Sequence, residues 1–229
     1  MTCSYLSGPQ VDIIVSGTRK FTLSKEILCH VSPFFETAFK PTFREGQIGS
    51  LKFPDANVEA FELAMAFIYS NLTGGPGGKY KFDLGKFATV EDAITVVIHL
   101  AALSQVLMMP ILDQAASCSL VALFHTADRR KHLQVEHIGM AYDLLEDKSR
   151  TRDMITHEAA KQFINDAWAP KSKDITTAWR LGVAMEKVEG FTYDLLVRLK
   201  AHIEEGKRNK LVVEIETRDT VPTYSTSLW

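Results

Sequence analysis

The alternation of apolar and polar residues near the N-terminus predicts a β-hairpin. Residues 11–16 are β-branched and apolar, and residues 19–23 resume strand character after a Gly-Thr pair. A glycine in the first central position suits a two-residue hairpin turn. Leu51 and Phe53 then alternate with polar neighbours as a short third strand. The pattern predicts a β-hairpin and a brief third strand within the first 53 residues.

Helical spacing dominates the remainder of the chain. Ser24 and Ser32 each precede a short apolar helix, because serine caps a helix start, and Pro33 suits the first helical position. Longer helices are predicted at residues 58–69, with one apolar face, and at 93–107, which is apolar nearly all round. An amphipathic helix through residue 123 and four more follow, at residues 135–145, 151–168, 174–188 and 192–205.

Changes in composition predict the domain boundaries. We expect a tail at residues 1–10, a first domain at 11–127 with a glycine-rich loop at 72–88, and an all-helical domain at 132–206. Residues 207–229 are expected to form a half-buried edge strand and an irregular tail. This rests on Gly206 as a helix C-cap and on alternation through Leu211, Val213 and Ile215. Two inward helical faces are expected, one of Ile155, Ala159, Phe163 and Trp168 and one of Leu195, Leu199 and Ile203.

Charge and cysteine content narrow the function classes. The 26 basic and 28 acidic residues leave a net charge of −2, so no global positive field favours nucleic acid or an anionic membrane. The three cysteines lie far apart, which indicates free thiols in a reducing compartment. Without a signal-peptide pattern or a span of about 20 apolar residues, we expect an intracellular protein, cytoplasmic, nuclear or both.

The sequence shows no catalytic or cofactor-binding constellation. The histidines fit no zinc-ligand spacing, and residues 73–80 lack the first glycine and the hydroxyl residue of a phosphate-binding loop. We therefore expect no enzymatic activity, no metal and no cofactor. An enzyme concealed in the C-terminal half remains an alternative.

Several motifs in the first half resemble the BTB/POZ family in their residues, order and spacing. They are Val11 to Val15, Phe21 to Leu28, Ser32 to Phe35, Phe43 to Glu45 and Phe67 to Ser70. The resemblance implies an α+β fold, a small mixed sheet flanked by helices, followed here by an all-helical C-terminal region as in short fungal BTB proteins. It further implies a protein-protein interaction module that forms homotypic or heterotypic dimers.

Six residues are candidate partner contacts on this resemblance. Phe43 and Glu45 match the hydrophobic-x-Glu motif with which BTB adaptors of ubiquitin ligases contact a cullin, although Phe43 packing internally and Glu45 being solvated is the alternative. Asp12 and Lys25 match a charged pair that lines a groove in BTB transcription factors, or have a structural role only. The aromatic helix that carries Phe34 and Phe35 would serve a self-associating scaffold or transcription-linked cofactor, the alternative to a ligase adaptor.

Overall fold

A computed structural model describes residues 8–73, 82–125, 133–168 and 176–218. The strands are β1 (Gln10–Val15), β2 (Arg19–Ser24) and β3 (Ser50–Phe53). The helices of the first half are α1 (Lys25–Val31), α2 (Pro33–Ala38), α3 (Arg44–Ile48), α4 (Val58–Thr73), α5 (Val90–Val106) and α6 (Pro110–Phe124). The second half contains α7 (Val135–Leu144), α8 (Arg150–Trp168), α9 (Thr176–Lys187) and α10 (Phe191–Arg218). The predicted α+β class, with helices following the sheet, is confirmed.

The sheet is small and mixed. Its strand order is β2-β1-β3, with β1 antiparallel to β2 and parallel to β3. Ile13 in the central strand is completely buried, opposite Phe21 and Leu51. The hairpin is confirmed, but its turn lies one residue earlier than predicted. Ser16 and Gly17 both have positive φ, as the central residues of a type I′ turn do, and the Thr18 N–H donates to the Val15 carbonyl at 3.3 Å.

Serine side chains fix the starts of the two short helices. The Ser24 hydroxyl accepts the Ile27 N–H, and the Ser32 hydroxyl accepts the Phe35 N–H at 3.4 Å. Ser32 also donates to the carbonyl of Leu107 at 2.6 Å, just beyond the end of α5. This buried bond ties the start of α2 to a residue 75 positions later in the chain.

The core beneath the sheet is aromatic. Phe35 is completely buried and meets Phe39 and Phe53 at centroid distances of 6.1 and 6.2 Å, and Phe53 in turn meets Phe61 at 6.0 Å. The apolar cluster that these rings begin continues through α5 and α6 to Leu195 in α10. Buried apolar side chains therefore link the sheet to the C-terminal helices.

The C-terminal helices are attached through a polar junction as well. Asp113 in α6 accepts hydrogen bonds from the hydroxyls of Ser149 and Thr151 and from the Arg150 N–H. Three donors at the start of α8 thereby orient this helix against α6. The predicted division between the two domains, near residues 127–132, falls within residues 126–132, which the structure does not describe. The domain boundaries therefore stay a prediction.

The C-terminal part of the chain is helical where a strand was predicted. The predicted edge strand after residue 207 is wrong, because α10 continues through Gly206, which is not a C-cap, to Arg218. The surrounding Lys, Glu, Arg and Ala residues favour helix, and apolar alternation over a few residues does not override that propensity. Ile203 is exposed rather than inward-facing, whereas Leu195 is buried.

Several predicted features fall on residues outside the described part of the chain. Among them are residues 1–7 of the N-terminal tail, residues 74–81 of the glycine-rich loop, the side chain of Trp168 and the tail at residues 219–229. Within the described ranges, no helix is both long enough and apolar enough to cross a membrane.

Candidate functional site

An apolar groove lies between α2, the start of α3 and the end of α5. It encloses about 240 Å³ and brings together three of the six candidate residues, Phe34, Phe43 and Glu45. The other lining residues are Pro33, Thr37, Ala38 and Met108. We call this the Phe43 groove. Of the seven described residues that line it, six present hydrocarbon surface and Glu45 supplies a carboxylate.

A tight turn after α2 positions Phe43. Its N–H donates to the carbonyl of Lys40 at 3.0 Å, and its own carbonyl accepts the Gln47 N–H at 3.1 Å. The Gln47 side chain donates to the Pro41 carbonyl and closes the same turn. Phe43 therefore occupies the N-cap position of α3 while its ring remains 46% exposed. Its backbone is fixed, but its side chain is available.

Gly46 allows α3 to approach the end of α2. A Cβ atom at Gly46 would overlap the backbone carbonyl of Lys40, which cannot move aside as a flexible side-chain end could. Any other residue would push α3 outward, and Phe43 and Glu45 with it. Sequence reasoning missed this residue, because one glycine in a short polar stretch gives no signal of close approach.

Met108 is a second residue that sequence reasoning missed. It follows α5 in a left-handed conformation, with φ of 55°, which is uncommon for a residue with a side chain. This reversal leaves Met108 exposed at the groove, while its neighbours Leu107 and Met109 are buried. The sequence signals a helix break by Pro110, but not the side to which Met108 points.

Phe34 and Phe35 have different roles. Phe34 is half-buried and contacts Phe35 and Phe53 at centroid distances of 5.6 and 5.7 Å, with its remaining surface in the groove. Phe35 is 0% exposed and lies in the aromatic core. Direct contact between Phe35 and a partner is therefore ruled out in this conformation, and Phe35 supports the groove from beneath.

Asp12 and Lys25 do not pair with one another. Asp12 forms an ion pair with Lys20 at 2.9 Å and accepts a hydrogen bond from Thr22, and both contacts lower the pKa of Asp12 below its ordinary value. The hairpin register explains this, because Thr22 lies directly opposite Asp12 and Lys20 lies diagonally across the same face. The Lys25 ammonium instead lies 6.0 Å from the centroid of Phe39.

The described part of the chain shows neither a metal-binding cluster nor a Cys29 thiol with a lowered pKa. No group of three or more His, Cys, Asp or Glu side chains there is arranged to hold a metal ion. His137 is buried and accepts the Gln134 N–H at the start of α7, a capping role. Burial raises the pKa of the Cys29 thiol, which disfavours the reactive thiolate.

Comparison with known proteins identifies the region that carries six of the seven residues of the Phe43 groove. The model of the BTB/POZ domain family matches residues 7–74, which span β1 through α4. The resemblance inferred from the sequence motifs is thereby confirmed for that part of the chain. No curated protein matches the chain.

Proposed function

Because residues 7–74 are a BTB/POZ domain, a protein-interaction module, we propose that this protein is a substrate adaptor of a cullin-based ubiquitin ligase. The observation that carries the proposal is that Phe34, Phe43 and Glu45 line one groove. In this proposal the cullin N-terminal domain docks a helix into the Phe43 groove, and the chain itself has no catalytic activity. Such a partner implies an intracellular location.

The groove has the chemistry that a helix-in-groove contact requires. Phe43 and Met108 are large, exposed and apolar, and burying such side chains against a partner helix contributes most of the affinity in contacts of this type. Glu45 gives the groove a directional acceptor, which fixes orientation more than it adds affinity. Phe34 rests on buried rings, so little conformational entropy is lost when a partner covers it.

In this proposal the C-terminal helices recruit the substrate. An adaptor needs a second surface that recruits the substrate, and α7 to α10 lie beyond the region that the family model matches. We assign substrate recruitment to these helices, with residues 132–206 as the recruiting domain.

The alternative is a self-associating scaffold or a transcription-linked cofactor. It draws support from the exposed part of Phe34 alone, because Phe35 is buried and Asp12 pairs with Lys20. A dimer in which a second copy covers Phe34 would represent this alternative.

A binding assay with the purified cullin N-terminal domain tests the proposal. Phe43→Ala and Glu45→Ala should each weaken binding by about tenfold or more, as expected for residues at the centre of an interface. Ile48→Ala is the matched control, since Ile48 is 61% exposed on the same helix but does not line the groove. It should leave binding unchanged.

Two results would contradict the adaptor role. One is cullin binding that is equally strong in all three variants, and the other is no binding by the folded wild-type chain. Light scattering on the same samples distinguishes the adaptor from the scaffold. A wild-type dimer that does not bind cullin and that dissociates when Phe34→Ala is introduced would favour the scaffold.

A further inference from the structure

A large cleft lies in the C-terminal half, far along the chain from the BTB/POZ domain. It encloses about 1020 Å³ between α7, the turn that joins α9 to α10, and the first turn of α10. We call it the α7–α10 cleft. Nothing in the proposed cullin contact involves it.

A polar network forms the floor of the cleft. The Arg152 side chain is 11% exposed and bonds Asp147 at 2.5 Å and Asp194 at 3.2 Å, with its guanidinium carbon 3.9 Å from the Tyr142 ring centroid. The Tyr142 hydroxyl donates to Asp194 at 2.8 Å. Two carboxylates thus neutralise the one buried cation, and the floor offers no net positive charge to an anion.

The rim of the cleft is acidic. Glu136 and Asp143 on α7 and Glu189 in the turn are exposed, and none of them forms an ion pair within the part of the chain that the structure describes. Besides Arg152, Lys187 is the one basic residue that lines the cleft within the described part of the chain. Including the floor, five acidic and two basic residues line the cleft among the described side chains, which gives these a charge of −3.

The cleft also presents aromatic and apolar surface beside these charges. Tyr193 is 73% exposed at the cleft edge, and Val197, one helical turn further along α10 and outside the cleft lining, is also exposed. A tyrosine ring attracts cations over its face and packs against the hydrocarbon stems of lysine and arginine.

One polar atom at the floor is left without a partner. The Arg152 Nε is buried and has no acceptor among the described residues. A buried N–H without an acceptor costs free energy, so an acceptor that reached the Arg152 Nε would stabilise the floor. The cleft thus combines an acidic rim, an aromatic edge and a buried donor.

We propose that the α7–α10 cleft binds a basic, lysine- or arginine-bearing segment of a partner protein. Its cationic side chains face Glu136, Asp143 and Glu189, its aliphatic stems lie on Tyr193, and its backbone approaches Arg152. Electrostatic complementarity of this kind gives specificity for charge and a strong dependence on salt. The proposal does not depend on the cullin contact.

Peptide binding to the full chain tests this cleft. Fluorescence anisotropy is measured with short labelled peptides of equal length in which lysine, glutamine or glutamate occupies every third position. The lysine peptide should bind at least about tenfold more tightly than the glutamine peptide, and the glutamate peptide should not bind. Raising the salt concentration should weaken the lysine peptide most.

Charge-matched variants locate the binding site. Replacing the rim carboxylates together, by Glu136→Gln, Asp143→Asn and Glu189→Gln, should weaken lysine-peptide binding by about tenfold. The control removes the same number of exposed charges elsewhere, by Glu36→Gln, Glu59→Gln and Asp83→Asn, and should have little effect. Tyr193→Ala should weaken binding several-fold without changing the salt dependence.

Three outcomes would overturn the proposal. The first is equal weakening by the rim and control variants, which would indicate only the overall charge of the chain. The second is no preference of the folded chain for the lysine peptide. The third is a dimer that the rim variant dissociates while lysine peptides fail to bind, which would make a second copy of the chain the occupant.

Discussion

The aromatic core of the first half and the Arg152 network of the second half stabilise the protein by different means. In the core, the Phe53 ring contacts the rings of Phe35 and Phe61, with no polar atom of these side chains involved. In the network, Arg152 connects carboxylates on α10 and after α7 through charged hydrogen bonds. One region depends on buried area, and the other depends on the positions of a few atoms.

This difference affects how each region tolerates change. Hydrophobic burial is non-directional and roughly proportional to area, so a core ring can be replaced by another apolar group of similar volume at modest cost. A charged network leaves unsatisfied partners when one member is removed. The protonation of Tyr142 is affected as well. Burial raises the pKa of its hydroxyl to about 12, and its contact with Asp194 acts in the same direction.

The largest expected effect is the removal of a core ring. Phe35→Ala should lower the free energy of unfolding by about 3–5 kcal/mol, because it deletes a completely buried ring and leaves a cavity. Urea denaturation measures the change. Phe34→Ala is the matched control, and its half-buried ring should cost clearly less; equal losses would mean that the aromatic core does not extend as described.

An intermediate effect is expected at the network. Arg152→Met should lower the free energy of unfolding by about 2–3 kcal/mol, because Asp194 loses its cationic partner and the Tyr142 ring loses the guanidinium over its face. Arg152→Lys should not restore stability, since an ammonium group cannot bond two carboxylates and stack on a ring in the same geometry.

The exposed Arg150 provides the control for that measurement. Its N–H, not its side chain, bonds Asp113, so Arg150→Met should change stability by less than about 0.5 kcal/mol. A similar loss in both variants would contradict a specific role for Arg152.

The smallest effect concerns pH. His157 on α8 stacks on His202 of α10, with ring centroids 5.0 Å apart. Burial first, and then the charges of Lys161 and His202, lower the pKa of His157 below its ordinary 6.5, while Glu205 acts in the opposite direction. The neutral imidazole is therefore favoured in the folded state.

The sign of the pH dependence follows from this lowered pKa. As the pH falls below 6.5, the unfolded chain takes up a proton before the folded chain does, so His157 reduces stability until the pH passes its folded pKa. We expect less than about 1 kcal/mol from this group. Denaturation curves of the wild type and His157→Gln between neutral and mildly acid pH should show a steeper loss in the wild type, and identical slopes would contradict the interpretation.

Local signals explain most of what sequence reasoning predicted for the fold. The hairpin followed from β-branched alternation, and the starts of α1 and α2 followed from Ser24 and Ser32, because a cap acts within a few residues. The same local logic failed beyond Gly206, where the strand-like alternation lies inside α10. Short alternation is compatible with either element, and only its surroundings decide between them.

The candidate site was predicted in part for the same reason. Phe43 and Glu45 could be selected because their motif is contiguous. Asp12 and Lys25 do not pair with one another, since the strand register places Lys20 beside Asp12. Gly46 and Met108 carry no local signal. Their importance arises from the approach of α3 to Lys40 and from a backbone reversal after α5.

By itself, the sequence determined the BTB/POZ resemblance, the α+β class and most helices and strands, because periodicity, caps and contiguous motifs are encoded within a few residues. Only the tertiary structure decided which side chains share the Phe43 groove, which cation neutralises Asp12, and that acidic residues of α7 and the α9–α10 turn surround one cleft. These relations join residues far apart in the chain. They depend on how helices pack, which no local pattern specifies.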